Sequence, residues 1–489
     1  MKKVNKSPHP EWAIKHRIPG TELRFLQGHY YLYAVSSKYD PILKRARKIT
    51  GKILGSITQK DGFIESDKGK LRKKAEKVID VKNICSKEYG FTIFIDQCLT
   101  DITCSLKEYF PEHWQMLLIM AYARLAYQSC IKNMPLHFYR SYLSEQYNIE
   151  LTDKKISLIL RDIGRDREKA AAYMRSFMKA GDFVLADMTS IFSKSANINM
   201  AKEGYNSNLI FEKQINLLYI YSAKLSLPVF YRLNAGNIRE VKGFKLCLEE
   251  SRLSDAVVIC DKGFYSKANI MLLDENKLRY IIPLKRNSDM IDYKRIEGGS
   301  IKKNNCYFKF EGRYIWFDEY MIDNKKVIIF QDDRLLQQEE TDYLNRIETH
   351  PEEYTLEGYH SQKNKFGTIT ILANETNILP EKIYSTYKSR INIEVMFDGM
   401  KNVLENDKTY MQNEEALQGW MFINHIALQW YYKIYILLKE NDLLKKYSVH
   451  DMIIHLKEIR KVKINQQWHL EAITASFEKL LAKTGIHIT

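Results

Sequence analysis

Hydrophobic residues recur along this chain with different periods, and the changes of period divide it. Over residues 21–60, in HYYLYAVSS and KITGKILGSIT, apolar and polar positions alternate around turns, which predicts short strands rich in lysine and arginine. The charges from Lys68 to Lys82 fit a helix or linker, and equally a solvated surface. Residues 1–90 are therefore expected to form a basic β-rich arm and linker. From 91 to 178 the spacing turns helical, as in HWQMLLIMAYARLAYQSCI and TDKKISLILRDIGRDREKAAAYMRSFMKA. In the second stretch Thr152 is a cap, Ile156, Leu158 and Ile159 make a face, and Gly164 breaks or ends the helix. A helix-turn-helix reader of DNA has this pattern, and so has any small helical bundle; we expect a helical DNA-binding domain.

Beyond Gly181 the period becomes strand-like. DFVLADMTS reads as a strand ending at Asp187, and NLLYIYS and PVFYRLN as a hairpin closed by AKLSL. A helix (IREVKGFKLCLEESRL), a strand (AVVIC) ending at Asp261, a helix with Ser266 as N-cap, and a strand (RYIIPLK) follow. Three strands, helix, strand, helix, strand is the order expected of an α/β core of the ribonuclease H-like kind, here 179–287. Residues 288–376 interrupt it with alternating segments such as CYFKFEGRYIWFDEYMID and KKVIIFQDD, a β-rich insertion in which Asp332 and Asp333 read as a turn. A helical pattern returns over 377–440 as the second part of the core, and 441–489 reads as a helical C-terminal tail.

Composition narrows the choice. With 75 basic and 60 acidic residues in 489, the net charge of +15 favours a polyanionic partner, though a merely basic surface gives the same sum. Seven scattered cysteines (Cys85, Cys98, Cys104, Cys130, Cys247, Cys260, Cys306) without a C-x-x-C pair argue against a disulfide framework or zinc ribbon and suit a reducing, intracellular compartment. The opening MKKVNKSPHPEW lacks the apolar stretch of a secretory signal. The longest apolar run, Trp420 to Leu438, contains Asn424, His425, Gln429 and Lys433, so a buried helix is expected and not a membrane span.

The residues with chemistry are acidic. Asp187 and Asp261 each end a strand, where rigid backbone holds a carboxylate toward a cleft. On neighbouring strands the two would converge, and their repulsion calls for a hard divalent cation; singly, each is an ordinary turn former or cap. In YKSRINIEVMFDGMK the steps of three, four and seven stack Tyr387, Arg390, Glu394 and Lys401 on one helical face, which is no core stripe, although Arg390 and Glu394 alone make an ordinary exposed pair. No H-x-x-x-H spacing and no phosphate-binding glycine motif accompanies them.

Tyr387, Arg390, Glu394 and Lys401, together with LADMTS and VVICDKGFYS, resemble the signature of the insertion-sequence-four family of bacterial DDE transposases, and RKITGKILGSIT resembles the leading segment of one branch. That resemblance implies a DNA transposase whose Asp187, Asp261 and Glu394 bind two divalent ions, Mg²⁺ or Mn²⁺, for cleavage and strand transfer. It also implies Tyr387, Arg390 and Lys401 on the DNA backbone, and a homodimer synapsing double-stranded terminal inverted repeats with target DNA in the cytoplasm, at the nucleoid. Members of this kind can stack a splayed base on an aromatic of the insertion; Trp316, beside Tyr314 and Phe317, is the candidate, and a β-core aromatic is its ordinary reading. A non-catalytic DNA-binding descendant and a nuclease of the same core are the alternatives.

Overall fold

The computed structural model describes residues 8–40, 45–67, 70, 84–204, 212–296 and 300–488. Most of the charged run from Lys68 to Lys82 lies outside them. The chain forms two compact units, Met1–Cys85 with Lys463–His469, and Ser86–Val462 with Leu470–Thr489.

The first unit is an antiparallel sheet in the order β1 (Thr21–Leu26), β2 (His29–Asp40), β3 (Arg45–Thr58), β4 (Gly62–Glu65). Gln27 and Gly28 join β1 to β2 with φ of 50° and 81°, the positive pair that a two-residue hairpin turn needs to follow the strand twist. Its core is small: Ala13, Leu23, Leu32 and Ile57, with Trp12, Ile14, Tyr30 and Leu54 packed against them.

In the second unit, helices come first: α1 (Gly90–Cys98), α2 (Thr100–Tyr109), α3 (Trp114–Tyr127), α4 (Met134–Arg140), α5 (Asp153–Arg165) and α6 (Arg167–Ser176). Thr152 caps α5, accepting from the Lys155 N–H at 3.2 Å. One sequence reading of α5 needs correction: Leu158 is 59 % exposed, and the buried stripe is Ile156, Ile159, Leu160 and Ile163. Gly164 stands one residue before the end of the helix, and a further helix begins at Arg167; a Cβ on Gly164 would overlap the Glu415 carbonyl of a crossing helix.

That partner is α12 (Glu414–Glu440), begun by Asn413, whose side chain accepts from Ala416 N–H at 2.8 Å. The run Trp420–Leu438 falls inside it; Asn424, Gln429 and Lys433 are engaged, whereas both ring nitrogens of the buried His425 have no hydrogen-bond partner among the described residues. Asn424 accepts from Arg124 Nε at 2.9 Å, and Gln429 from the Tyr173 hydroxyl at 2.7 Å. Among the described residues no helix is long and apolar enough to cross a membrane.

Between them in sequence lie β5 (Asp182–Ser193), β6 (Lys213–Ser222), β7 (Leu227–Ala235), α7 (Glu240–Ser251), β8 (Ala256–Cys260), α8 (Lys267–Glu275) and β9 (Arg279–Pro283). They line up as β7-β6-β5-β8-β9: β6 antiparallel to both β5 and β7, β8 parallel to both β5 and β9. Every residue of β8 is buried, the unbroken apolar run of a strand covered on both faces. The outer edge of β9 is extended antiparallel by β13 (Thr368–Ala373), then β12 (Lys325–Asp332), β11 (Arg313–Ile322) and β10 (Tyr307–Phe310). The architecture is thus mixed α/β around one multi-stranded sheet.

The pair Asp332–Asp333 is not a turn. Asp332 caps the 17-residue helix α9 (Asp333–Thr349) by accepting from the Arg334 N–H at 3.0 Å, so the 288–376 segment carries a long helix beside its strands. Helices α10 (Pro380–Lys388) and α11 (Ile391–Asp398) follow β13. The stretch after α12 is not wholly helical either. Between α13 (Val449–Glu458) and α14 (Ala475–Thr484) lie short strands at Arg460–Ile464 and Gln467–Leu470, flanking Asn465 and Gln466, both at positive φ.

Candidate active site

Strand register decides what Asp187 and Asp261 do. Cys260, the last residue of β8, is paired with Ala186 of β5, so the residues that follow, Asp261 and Asp187, stand side by side on neighbouring strands about 4.8 Å apart. Asp187 does not end its strand, as the sequence led us to expect: β5 runs on to Ser193 because β6 still pairs with it, Asp187 lying opposite Tyr219. The cleft arises because β8 stops there and β5 continues. Asp187 Oδ1 accepts from the Met188 N–H and Asp261 Oδ1 from the Lys262 N–H, each at 2.8 Å, which fixes both carboxylates to backbone.

The helix predicted through Lys401 is broken in two. Residues 389 and 390 interrupt it, and Arg390 stands as the N-cap of α11. From there Arg390 Nη1 donates to Asp187 Oδ2 at 3.2 Å, while Nη2 pairs with Glu394 Oε1 one turn along. Burial works against the guanidinium charge, but Asp261, Asp187 and Glu394 together outweigh it and raise its pKa. Three carboxylates from three elements thus act on one cation. Burial lifts the Asp187 carboxyl to about 6, against the pull of the Met188 N–H and Arg390, with Asp261 and Glu240 pushing the same way as burial. Tyr387, at the end of α10, is raised chiefly by burial and then by Asp261.

Lys401 sits in a π-helical turn, Gly399–Val403, so it is not carried on from Glu394 by one regular helix. Burial lowers its pKa and the charge acting on it is Asp407. Trp316 stands apart from the cluster. It lies in β11, four strand positions from β8 across the sheet, roughly 19 Å at strand spacing. There it is half-buried, with the Tyr307 ring 5.0 Å away and Lys302 Nζ 5.7 Å from its ring.

Two features escaped the sequence. Glu240, in the first turn of α7, has its pKa raised by burial and by Asp261, with Lys285 opposing. Its carboxylate lies where a Cβ on Gly263 would be, so the glycine after Asp261-Lys262 is what lets this fourth acid approach. An acid at the start of a helix after the Gly236–Asn237 loop was the only available signal. Beside it opens a cavity of about 770 Å³, lined by Met188, Asn216, Arg239, Glu240, Tyr265 and Lys285.

Asp187, Asp261 and Glu394 offer only oxygen, the donor set of hard divalent cations. In donor chemistry, though not in the arrangement of their side chains here, the residues fit such an ion. Among the described residues no three His, Cys, Asp or Glu side chains are gathered closely enough to hold one, and Arg390 is the cation between them.

A family model described as "Transposase DDE domain" matches residues 180–430, more than half of the chain. The match takes in β5, β8, α11 and most of α12, with Asp187, Asp261 and Glu394 inside it. Among solved structures, the chain is similar to a piggyBac transposase synaptic complex with hairpin DNA, at 11% identity, over 76% of this chain and 79% of that one, with a TM-score of 0.39. No curated protein sequence matches.

Proposed function

Because this chain belongs to the transposase DDE-domain family, we propose that it cuts DNA at transposon ends and joins them to target DNA, with Asp187, Asp261 and Glu394 as its catalytic acids. The observation that carries this reading is the pairing of Cys260 with Ala186, which sets the two aspartates abreast, with Asp187 joined through Arg390 to Glu394. The order β7-β6-β5-β8-β9, with β5, β8 and β9 parallel and β5-β6-β7 a meander, supports a ribonuclease H-like core. The Tyr387, Arg390, Glu394, Lys401 spacing supports the insertion-sequence-four family of bacteria.

Two divalent ions, Mg²⁺ or Mn²⁺, held by the three carboxylates would supply activation of water or a 3′-hydroxyl and stabilise the leaving oxygen of an in-line displacement. The chain's own groups do the rest. Arg390, released from Asp187, grips a phosphate as a two-pronged fork, Lys401 grips another as a point charge, and the Tyr387 hydroxyl bonds the same backbone. Trp316 stacks a base splayed near the cleaved end. The helices of 91–178 bind double-stranded terminal repeats, two chains synapse two ends, and the work is done in the cytoplasm at the nucleoid.

The test uses labelled DNA ends, target DNA and Mg²⁺. The wild type is expected to join 3′-hydroxyls to target, which a nuclease or a mere DNA-binding protein does not. Asp187→Ala, Asp261→Ala and Glu394→Ala each abolish cleavage and keep end binding. A variant that cleaves near normally removes its residue from the site.

A further inference from the structure

Strands β2 and β3 are longer than the strands beside them. β1 covers β2 only from His29 to Ala34, and β4 covers β3 only from Gly55 to Thr58. Beyond that, Val35 to Asp40 pairs with Arg45 to Thr50 as a two-stranded ribbon, about 20 Å long, with no third strand among the described residues. An isolated ribbon of this kind is marginal in water.

Its two faces differ. Cross-strand pairing puts Ser37, Lys48 and Thr50 on one face, where Lys48 pairs with Glu22 at 2.8 Å and Thr50 accepts from Arg24 at 2.7 Å. The other face carries Lys38 directly opposite Arg47 and Arg45 directly opposite Asp40, with Ile49 on the same side; Lys38, Arg45, Arg47 and Ile49 are exposed, and the cations outnumber the one acid. Among the described residues none of Lys38, Arg45 and Arg47 has an acidic partner within ion-pair distance, although Glu22 neutralises the opposite face. Like charges set directly across a ladder are destabilising, so this face is costly to the fold by itself and complementary to a polyanion.

We infer that the ribbon Val35–Asp40/Arg45–Thr50 is a DNA-docking element that enters the major groove, Lys38, Arg45 and Arg47 meeting phosphates and Ile49 a base edge. The groove, about 12 Å wide, admits a two-stranded ribbon, whereas the minor groove, about 6 Å, does not. An exposed isoleucine among the cations suits a thymine methyl. This rests on the reading of the chain as acting on DNA, and adds to it a surface remote in sequence from the catalytic acids.

The experiment compares the full chain with its Lys38→Gln/Arg45→Gln/Arg47→Gln form on a labelled random-sequence duplex over a series of salt concentrations. Because the three side chains are exposed and two of them are like charges set across the ladder, circular dichroism of the two proteins should coincide and the variant should melt no lower than the wild type. The triple variant is expected to lower the slope of log K against log salt by about 2.7, at about 0.9 for each phosphate no longer neutralised. A duplex whose major groove is filled by glucosylated cytosines should cost the wild type the same affinity and the variant little, while distamycin in the minor groove should not. An unchanged slope, a loss caused by distamycin instead, or binding of anionic vesicles in place of duplex overturns the ribbon's role. A wild type that binds no duplex at any salt overturns the DNA reading itself; a wild type that binds, with an unaltered slope in the variant, removes only the ribbon.

Discussion

Glu88 is 1 % exposed, and its carboxylate accepts from the Phe91 N–H at 2.7 Å, the Tyr122 hydroxyl at 2.9 Å and Ser141 Oγ at 3.3 Å. Three donors and the charge of Arg460 do not offset the burial, which lifts its pKa from 4.5 to about 7. A carboxyl raised on folding holds its proton more tightly folded than unfolded. Its contribution is therefore complete below pH 4.5 and is lost as pH rises through about 7, a swing of about 3 kcal/mol. Glu88→Gln keeps an acceptor for Phe91 and has no proton to lose. The stability difference between variant and wild type, from urea titrations, should therefore grow in the variant's favour across that window; a constant difference refutes the ionisation. No sequence pattern marks Glu88, since its burial comes from residues far along the chain. The strand end before Asp261 and the four-residue step from Arg390 to Glu394 were readable because both are local, whereas the continuation of the strand past Asp187 depends on a partner strand and the approach of Glu240 on Gly263 of another loop.

Elements follow the same division. Thr152 and Ser266 were readable as caps, since a cap needs only its own helix, and both accept the N–H three residues on. The break at Ser389–Arg390 and the π-turn at Gly399–Val403 were not, because a continuous period of 3.6 passes through both. Gly164 reads as a stop by residue type and stands one residue before the end of α5, but residue type says nothing of its second role: it and Gly419 are where α5 and α12 meet backbone to backbone. A Cβ on Gly419 would overlap the Leu160 carbonyl, and one on Gly164 the Glu415 carbonyl. In a free helix Gly→Ala gains about 1 kcal/mol. Here a main-chain carbonyl cannot rotate aside, and overpacking costs about 1–3 kcal/mol or more. The second effect wins, so Gly419→Ala should destabilise by about 2 kcal/mol, measured by chemical denaturation, and a stabilised variant would show that the helices do not meet there.

At the scale of the molecule, a net charge of +15 pointed to a polyanion without saying where it docks; that required the register of β2 and β3, which fixes the faces of Lys38 and Arg47. The division into two units has an energetic consequence as well. The first unit buries only Ala13, Leu23, Leu32 and Ile57 fully, and at about 1.5–3 kcal/mol for each large side chain this is little against the entropy of ordering four strands. In the second unit β6 and β8 are buried almost throughout and are covered by helices. The two should therefore open independently, the first at far lower free energy. Hydrogen exchange read by mass spectrometry is expected to exchange the amides of β2 and β3 orders of magnitude faster than those of β6 and β8, with the ribbon beyond Val35 fastest, since past the Val35 N–H, which donates to Gly20 at 2.7 Å, no further strand lies beside it among the described residues. If the strands of both units exchange together, with one cooperative melting transition, the first unit draws its stability from something other than its own core, and the division fails as an energetic one.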